Sequence, residues 1–280
     1  MQIHRPTTLN HALDLMADSA PPPTPIAGGT DLLVSWHHRP KDDLALLDLS
    51  LLTELRAFRL TDEFLELGGL TTYWQVIESA EVSQAFPLLA QAARQVGAIQ
   101  IQTRGTWAGN IANASPAADG VPVMMAYDAV VVLQSRDGTT EVPLDQYYTG
   151  YKQSVRRPEQ LIRAIRIPRR QRAFEYFHKV GARSAQAIAK VGVAMVKDAH
   201  GWRVAANSVA PFVCRCPALE AALDAGQSFS SPAEIADILS ADISPIDDLR
   251  STAGYRERVL SRLIYFRLEE REKRKEKREK

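Results

Sequence analysis

Near the start of the chain, Leu9, Ala12, Leu13 and Met16 recur at helical spacing, with Thr7 or Thr8 placed as the cap. Pro21, Pro22 and Pro23 end that helix. A short apolar strand, a Gly28-Gly29 loop, a helix over Asp31–Trp36 and a buried strand over Leu44–Leu49 follow, predicting a small α/β unit. Leu55–Leu60 and Phe64–Gly68 predict a hairpin joined through Thr61-Asp62-Glu63. Thr71 or Thr72 caps a helix ending near Ser79, and Pro87 opens another that runs to about Val96. The small, glycine- and asparagine-rich stretch Thr103–Asp128 reads as a tight loop leading into an apolar strand. Ala129–Gln134 and Thr140–Val142 then flank an Asp137-Gly138 turn, and Leu161–Ile167 closes this half as a strand.

From Phe174 the texture changes. Phe174–Val180, Ile188–Lys197 and Trp202–Val209 predict an antiparallel meander, the last two strands meeting at His200-Gly201. Helices are expected at Ala218–Asp224, at Pro232–Ser240 and from about Ser251, the last carrying Val259, Leu260, Leu263, Ile264 and Phe266. Beyond Glu269 the signs of charge alternate, which predicts a solvated or frayed helix end rather than a nucleic-acid arm. The fold class is α+β. The expected division is 1–170, with subdomains 1–52 and 53–170, then 171–268 and a charged tail at 269–280.

Composition adds exclusions. With 280 residues, 45% of them hydrophobic, the chain can bury a full core. A net charge of +1 leaves no global field to recruit nucleic acid. No apolar run follows Met1–Pro6, and Val121–Leu133, broken by Tyr127 and Asp128, is too short to span a bilayer, so a soluble, cytoplasmic chain is expected. Cys214 and Cys216 read as structural thiols without a mutual disulfide, and two cysteines cannot hold an iron–sulfur cluster. The histidines His4, His11, His37, His38, His178 and His200 are scattered, with His37 and His38 expected in an exposed loop. No metal site and no Ser–His–Asp or Cys–His set is expected.

What remains is anion chemistry. Gly28-Gly29, followed by Thr30 and Asp31, can present backbone N–H groups to an anion. Gly105 and Gly109 bracket Thr106, Trp107 and Ala108 in a second such loop, with Asn110, Asn113 and Ser115 adding short polar groups. Asp119 can accept hydrogen bonds from a ribose hydroxyl. Two cradles suit a pyrophosphate ligand, although neither G-x-G-x-x-G nor a P-loop is present.

PIAGGTDLL at 25–33, followed downstream by GTWAGNIANASPAAD at 105–119, resembles the flavoprotein subunit of the molybdenum hydroxylases. That family includes the FAD domains of xanthine dehydrogenase and the medium subunit of carbon monoxide dehydrogenase. The resemblance implies a two-subdomain FAD-binding domain of the PCMH/VAO type and a smaller α/β C-terminal domain with an antiparallel sheet and helices. It implies non-covalent FAD, with Ile26, Ala27, Gly28, Gly29, Thr30, Asp31 and Leu32 around the pyrophosphate and Thr106, Trp107, Ala108, Gly109 and Asn110 closing over it. Ser115 stands in the same motif, Asp119 falls at the adenosine ribose, Val96 and Ile162 form apolar walls, and Lys179 lies near the cofactor. Ala108-Gly109 stands where the family usually has a double glycine, so weakened binding is the most that departure implies.

No catalytic residue is expected on this chain. Molybdopterin on a large subunit and 2Fe–2S clusters on a small subunit are implied as partners, in a dimer of heterotrimers that reduces NAD or another acceptor. Asn207–Pro211 resembles the xanthine dehydrogenase type more than the carbon monoxide or aldehyde types. The alternative is an assembly scaffold that has lost FAD, against which the intact Gly28-Gly29 and Asp119 argue.

Overall fold

The computed structural model describes residues 2–36 and 44–279, so the reading of His37 and His38 lies outside the described residues. The chain opens on β1 (Gln2–His4), α1 (Leu9–Asp18), β2 (Thr24–Ile26), α2 (Leu32–Trp36) and β3 (Ala45–Asp48). The strands form a parallel sheet in the order β1-β3-β2. Thr8 caps α1 by accepting from the His11 amide at 3.3 Å, and the stripe Leu9, Ala12, Leu13 and Met16 is buried with Leu47, Leu49 and Leu52.

A five-stranded antiparallel sheet follows, in the order β4-β5-β10-β6-β7. Its strands are β4 (Phe58–Leu60), β5 (Phe64–Gly68), β6 (Val130–Ser135), β7 (Gly138–Pro143) and β10 (Leu161–Pro168). A small hairpin, β8 (Tyr148–Gly150) and β9 (Gln153–Ser154), precedes β10. Between β5 and β6 lie α3 (Tyr73–Glu78), α4 (Ala80–Ala85), α5 (Pro87–Gln95), α6 (Ile99–Gln102), α7 (Trp107–Asn113) and α8 (Gly120–Ala126). Thr72 starts α3 with a full capping box, its hydroxyl taking the Gln75 amide while the Gln75 side chain takes the Thr72 amide.

The last region is a four-stranded antiparallel sheet of β11 (Phe174–Val180), β12 (Val191–Asp198), β13 (Gly201–Asn207) and β14 (Cys214–Arg215). Helices α9 (Pro217–Asp224), α10 (Pro232–Leu239) and α11 (Ala253–Glu279) cover one face. Leu219, Ile235, Leu260 and Ile264 pack there on Val191, Val193 and Met195. The opposite face meets α8: Ala194, Val196 and Ala205 share one cluster with Val121, Val123 and Met125. Cys214 and Cys216 are both free thiols.

One sequence reading is corrected. Thr103–Asp128 is not a loop but two short helices, α7 and α8, with only brief connections, and the strand expected after it is β6. Every residue of α8 is buried, and a helix enclosed on all sides has no polar face to give a helical period. The β8–β9 hairpin, α4 and α6 carry too few residues to show a pattern, and the first expected hairpin strand begins only at Phe58. The chain also resumes pairing at Val191 rather than Ile188.

Candidate functional site

The two glycine loops touch. Gly28 sits against the backbone of the second loop so closely that an added Cβ would lie 1.8 Å from the Arg104 carbonyl oxygen. Gly29 adopts φ of +72°, the left-handed region that side chains disfavour. Among the described residues no protein acceptor meets the amides of Gly28, Gly29 and Thr30. The second loop is pinned from the other side: the Tyr73 amide donates to Gly105 O at 3.2 Å and the Trp107 amide to Thr71 O at 3.1 Å. Thr106 then caps α7, its hydroxyl accepting from the Gly109 amide at 2.9 Å.

Between the loops opens a cleft of about 430 Å³. Ile26, Ala27, Gly28, Gly29, Thr30, Asp31 and Leu32 line it from the first loop, and Thr106, Ala108, Gly109 and Asn110 from the second. Val96 and Ile162 supply apolar wall on the flanks. Ala108, where the family usually has a glycine, lines the cleft and is 5% exposed.

Four expected site residues are not in that wall. Trp107 is fully buried, its ring tilted against Tyr73 at 4.7 Å between centroids, and acts as core beneath the loop. Ser115 instead accepts from the Ala117 amide in the turn before α8. Asp119 and Lys179 pair with each other at 2.6 Å, and the Lys179 ammonium also donates to Gln95 O at 2.9 Å. Their side chains are only 11% and 6% exposed, so Lys179 is not the exposed strand cation that β11 alone could suggest.

The cleft also uses residues the sequence did not mark. Gly69, Tyr73, Ile101, Arg156 and Gln160 line it, as does Asn113 of the second loop. Asn113 had been read only as a polar loop residue. In the structure its amide donates to Asp31 at 3.0 Å and its oxygen accepts from Lys152 at 2.8 Å, linking the loops at their rim. Arg156 had no signal at all, because its place depends on how the β8–β9 hairpin folds back.

The residues present fit a dinucleotide. The unpartnered amides of Gly28, Gly29 and Thr30, in a loop with a positive φ, offer donors to a pyrophosphate, while the Trp107 and Gly109 amides of the second loop are already taken. Buried acceptors stand waiting for donors: Asn110 Oδ1 and Asp119 Oδ1 are both buried without a protein partner among the described residues, which is costly unless a ligand or water satisfies them. Burial pushes the Asp119 carboxyl up to about 6 even though Lys179 pulls it down.

If the ionised carboxylate is what takes ribose hydroxyls, affinity for FAD falls as pH drops through about 6. Ligand binding then favours the ionised form, so the liganded chain titrates lower. From pH 7 to 5 the expected loss is roughly tenfold, the change in ionised fraction for such a group. Isothermal titration with FAD across this range checks it, and Asp119→Asn should give a flat profile. A sloping profile in that variant would assign the titration elsewhere.

Known proteins match this architecture along nearly its whole length. Residues 1–170 match the family described as the FAD-binding domain in molybdopterin dehydrogenase, and residues 175–270 match the CO dehydrogenase flavoprotein C-terminal domain. The chain is 29% identical over 262 residues to the putative xanthine dehydrogenase FAD-binding subunit of Escherichia coli K12, covering 90% of this chain and 89% of that protein. It is 27% identical to the carbon monoxide dehydrogenase medium chain of Hydrogenophaga pseudoflava, covering 94% of each. Among solved structures, a carbon monoxide dehydrogenase from H. pseudoflava superposes with a TM-score of 0.86 at 28% identity, covering 95% of this chain and 94% of that one.

Proposed function

Because the chain belongs to the FAD-binding family of the molybdopterin dehydrogenases, we propose that it is the electron-exit subunit of a molybdenum hydroxylase. In this reading it takes electrons from 2Fe–2S clusters on a small partner subunit and delivers them to NAD or another acceptor. Substrate is oxidised at molybdopterin on a large subunit, within a dimer of heterotrimers. Relatives that are FAD subunits of xanthine and carbon monoxide dehydrogenases support the class. The Asn207–Pro211 segment favours the xanthine-type branch. A scaffold that has lost FAD is the weaker reading, since the cradle amides and the buried acceptors are intact.

The observation that carries the proposal is the direct contact of two glycine loops over a cleft lined with amides and apolar walls. Bound there, FAD would supply the exchange between one-electron and two-electron carriers. The chain's own groups do the holding. In this reading the Gly28–Thr30 amides hold the pyrophosphate, Asp119, standing behind the cleft wall, takes the adenosine ribose through its unpartnered Oδ1, and Val96 and Ile162 keep water from the ring system. Lys179 holds Asp119 charged and in place. Among the described residues no cluster of His, Cys, Asp or Glu could hold a metal ion, and no helix is long and apolar enough to cross a membrane.

The test is a pair of assays on the assembled enzyme carrying Asp119→Ala, prepared free of flavin. Losing charge-assisted contacts worth roughly 1.5–3 kcal/mol should weaken FAD about 10- to 150-fold, so that the flavin is readily stripped. NAD-linked activity should vanish while oxidation linked to a dye that takes electrons upstream survives. Loss of both activities, with molybdenum and iron retained, would show that the flavin is more than an exit.

A further inference from the structure

Lys179, Gly192 and Asn207 stand directly opposite one another on β11, β12 and β13: Lys179 pairs with Gly192, and Gly192 with Asn207. Residues opposed across adjacent strands put their side chains on the same face of a sheet. This row therefore presents an ammonium, a gap and a carboxamide to the start of α8. Lys179 takes Asp119, while Asn207 Nδ2 donates to the Ala118 carbonyl at 2.8 Å, one residue away. The gap is occupied. A Cβ on Gly192 would lie 2.6 Å from Asn207 Oδ1, so the carboxamide lies over the glycine. Asn207 is fully buried, and among the described residues its Oδ1 has no protein partner. The adjoining Ser208 amide adds a second tie, donating to Pro116 O at 2.7 Å.

We infer that Asn207, which touches no part of the cleft, is a positioning residue for FAD binding. It fixes the Ala118 peptide and so sets where the Asp119 carboxylate points, with Gly192 kept side-chain-free to let it do so. A buried asparagine that leaves one acceptor unpaired is an expensive way merely to fill space. Its place in a three-residue row with Lys179 gives the sheet two grips on consecutive residues of one turn. This inference rests on the assignment of Asp119 to the ribose.

The test is a double-mutant cycle on the full chain, with FAD affinity read by titration of the flavin-free protein. Asn207→Ala should weaken FAD by roughly tenfold in the wild-type background, the cost of one buried hydrogen bond. In the Asp119→Ala background the same change should do almost nothing, because the group it positions is gone. Gly192→Ala, which removes no hydrogen-bonding group but displaces the carboxamide, should reproduce the loss, and Asn207→Ser serves should Asn207→Ala not fold. A merely structural asparagine would lower the melting temperature and weaken FAD equally in both backgrounds, and that result overturns the inference. A wild-type chain that takes up no FAD would instead sink the functional assignment beneath it.

Discussion

Gly28→Ala is expected to yield a chain that folds but binds FAD at least about a hundredfold more weakly. The glycine is required by the contact between the two loops before any ligand arrives. Its absent Cβ would sit 1.8 Å from Arg104 O, 2.6 Å from the Arg104 carbonyl carbon and 3.1 Å from the Gly105 amide nitrogen. These are backbone atoms, held by the Gly105 amide bond to Ile101 O and by the Tyr73 amide on Gly105 O. They cannot rotate aside, so the loops must part, and a packed interior does not absorb such a shift locally. Gly109→Ala provides the contrast. Its Cβ would meet only Thr106 Oγ1, at 2.8 Å. That hydroxyl can turn away at the cost of the α7 cap, about 1 kcal/mol, and a fivefold loss of affinity is expected. Visible absorbance of the purified variants after FAD incubation checks both. A yellow Gly28→Ala protein, or equal losses in the two variants, would refute the loop-contact account.

Arg203→Met is expected to cause the largest loss of stability, about 3–5 kcal/mol. That corresponds to roughly 10 °C in melting temperature for a chain of this size. The arginine lies where the C-terminal sheet meets the end of α8. It pairs with Asp198, reaches Asp128 at 3.3 Å and donates to Ala126 O at 3.2 Å, and its side chain is 5% exposed. Asp198 is 1% exposed in its side chain and, among the described residues, would keep only Arg170 at 3.5 Å as an ionic partner. Burial alone would raise the Asp198 carboxyl, but the bonds from Arg203 and the His200 amide bring it below its usual value. Its contribution is therefore present at neutral pH and lost on acidification below the ordinary carboxylate range. Thermal melts at pH 7 and pH 3 should show the wild-type advantage over Arg203→Met shrinking in acid. Equal gaps at both pH values would mean the guanidinium acts only by packing. Flavin affinity should change by less than about threefold, because the Asp119 end of α8 is held separately.

Much of this molecule was legible in one dimension. The stripe of α1, the capping Thr72, the Asp137-Gly138 turn and the meander from Phe174 all rest on local rules, since period, caps and turn chemistry act within a few residues. The glycine pairs could be read for the same reason: a missing side chain is visible in sequence whatever surrounds it. The loop motifs therefore indicated the ligand class and most of the cleft's wall.

What the sequence could not carry is which residues meet when they are far apart. It showed Gly28 as a residue that leaves room for phosphate. Tertiary structure made it a residue that leaves room for Arg104. It showed Lys179 near the cofactor only through a resemblance, and Asn207 as part of a distant motif. Only strand register placed them in one row over Gly192, aimed at consecutive residues of another segment. The apolar run of α8 gave no helical signal because burial on every side leaves no polar face, and that burial exists only once two sheets close around it. Local propensity and glycine placement are properties of the chain itself. The ionisation of Asp119, the seat of Asn207 and the charge cluster at Arg203 arise from groups brought together by folding, in an interior where water no longer screens them.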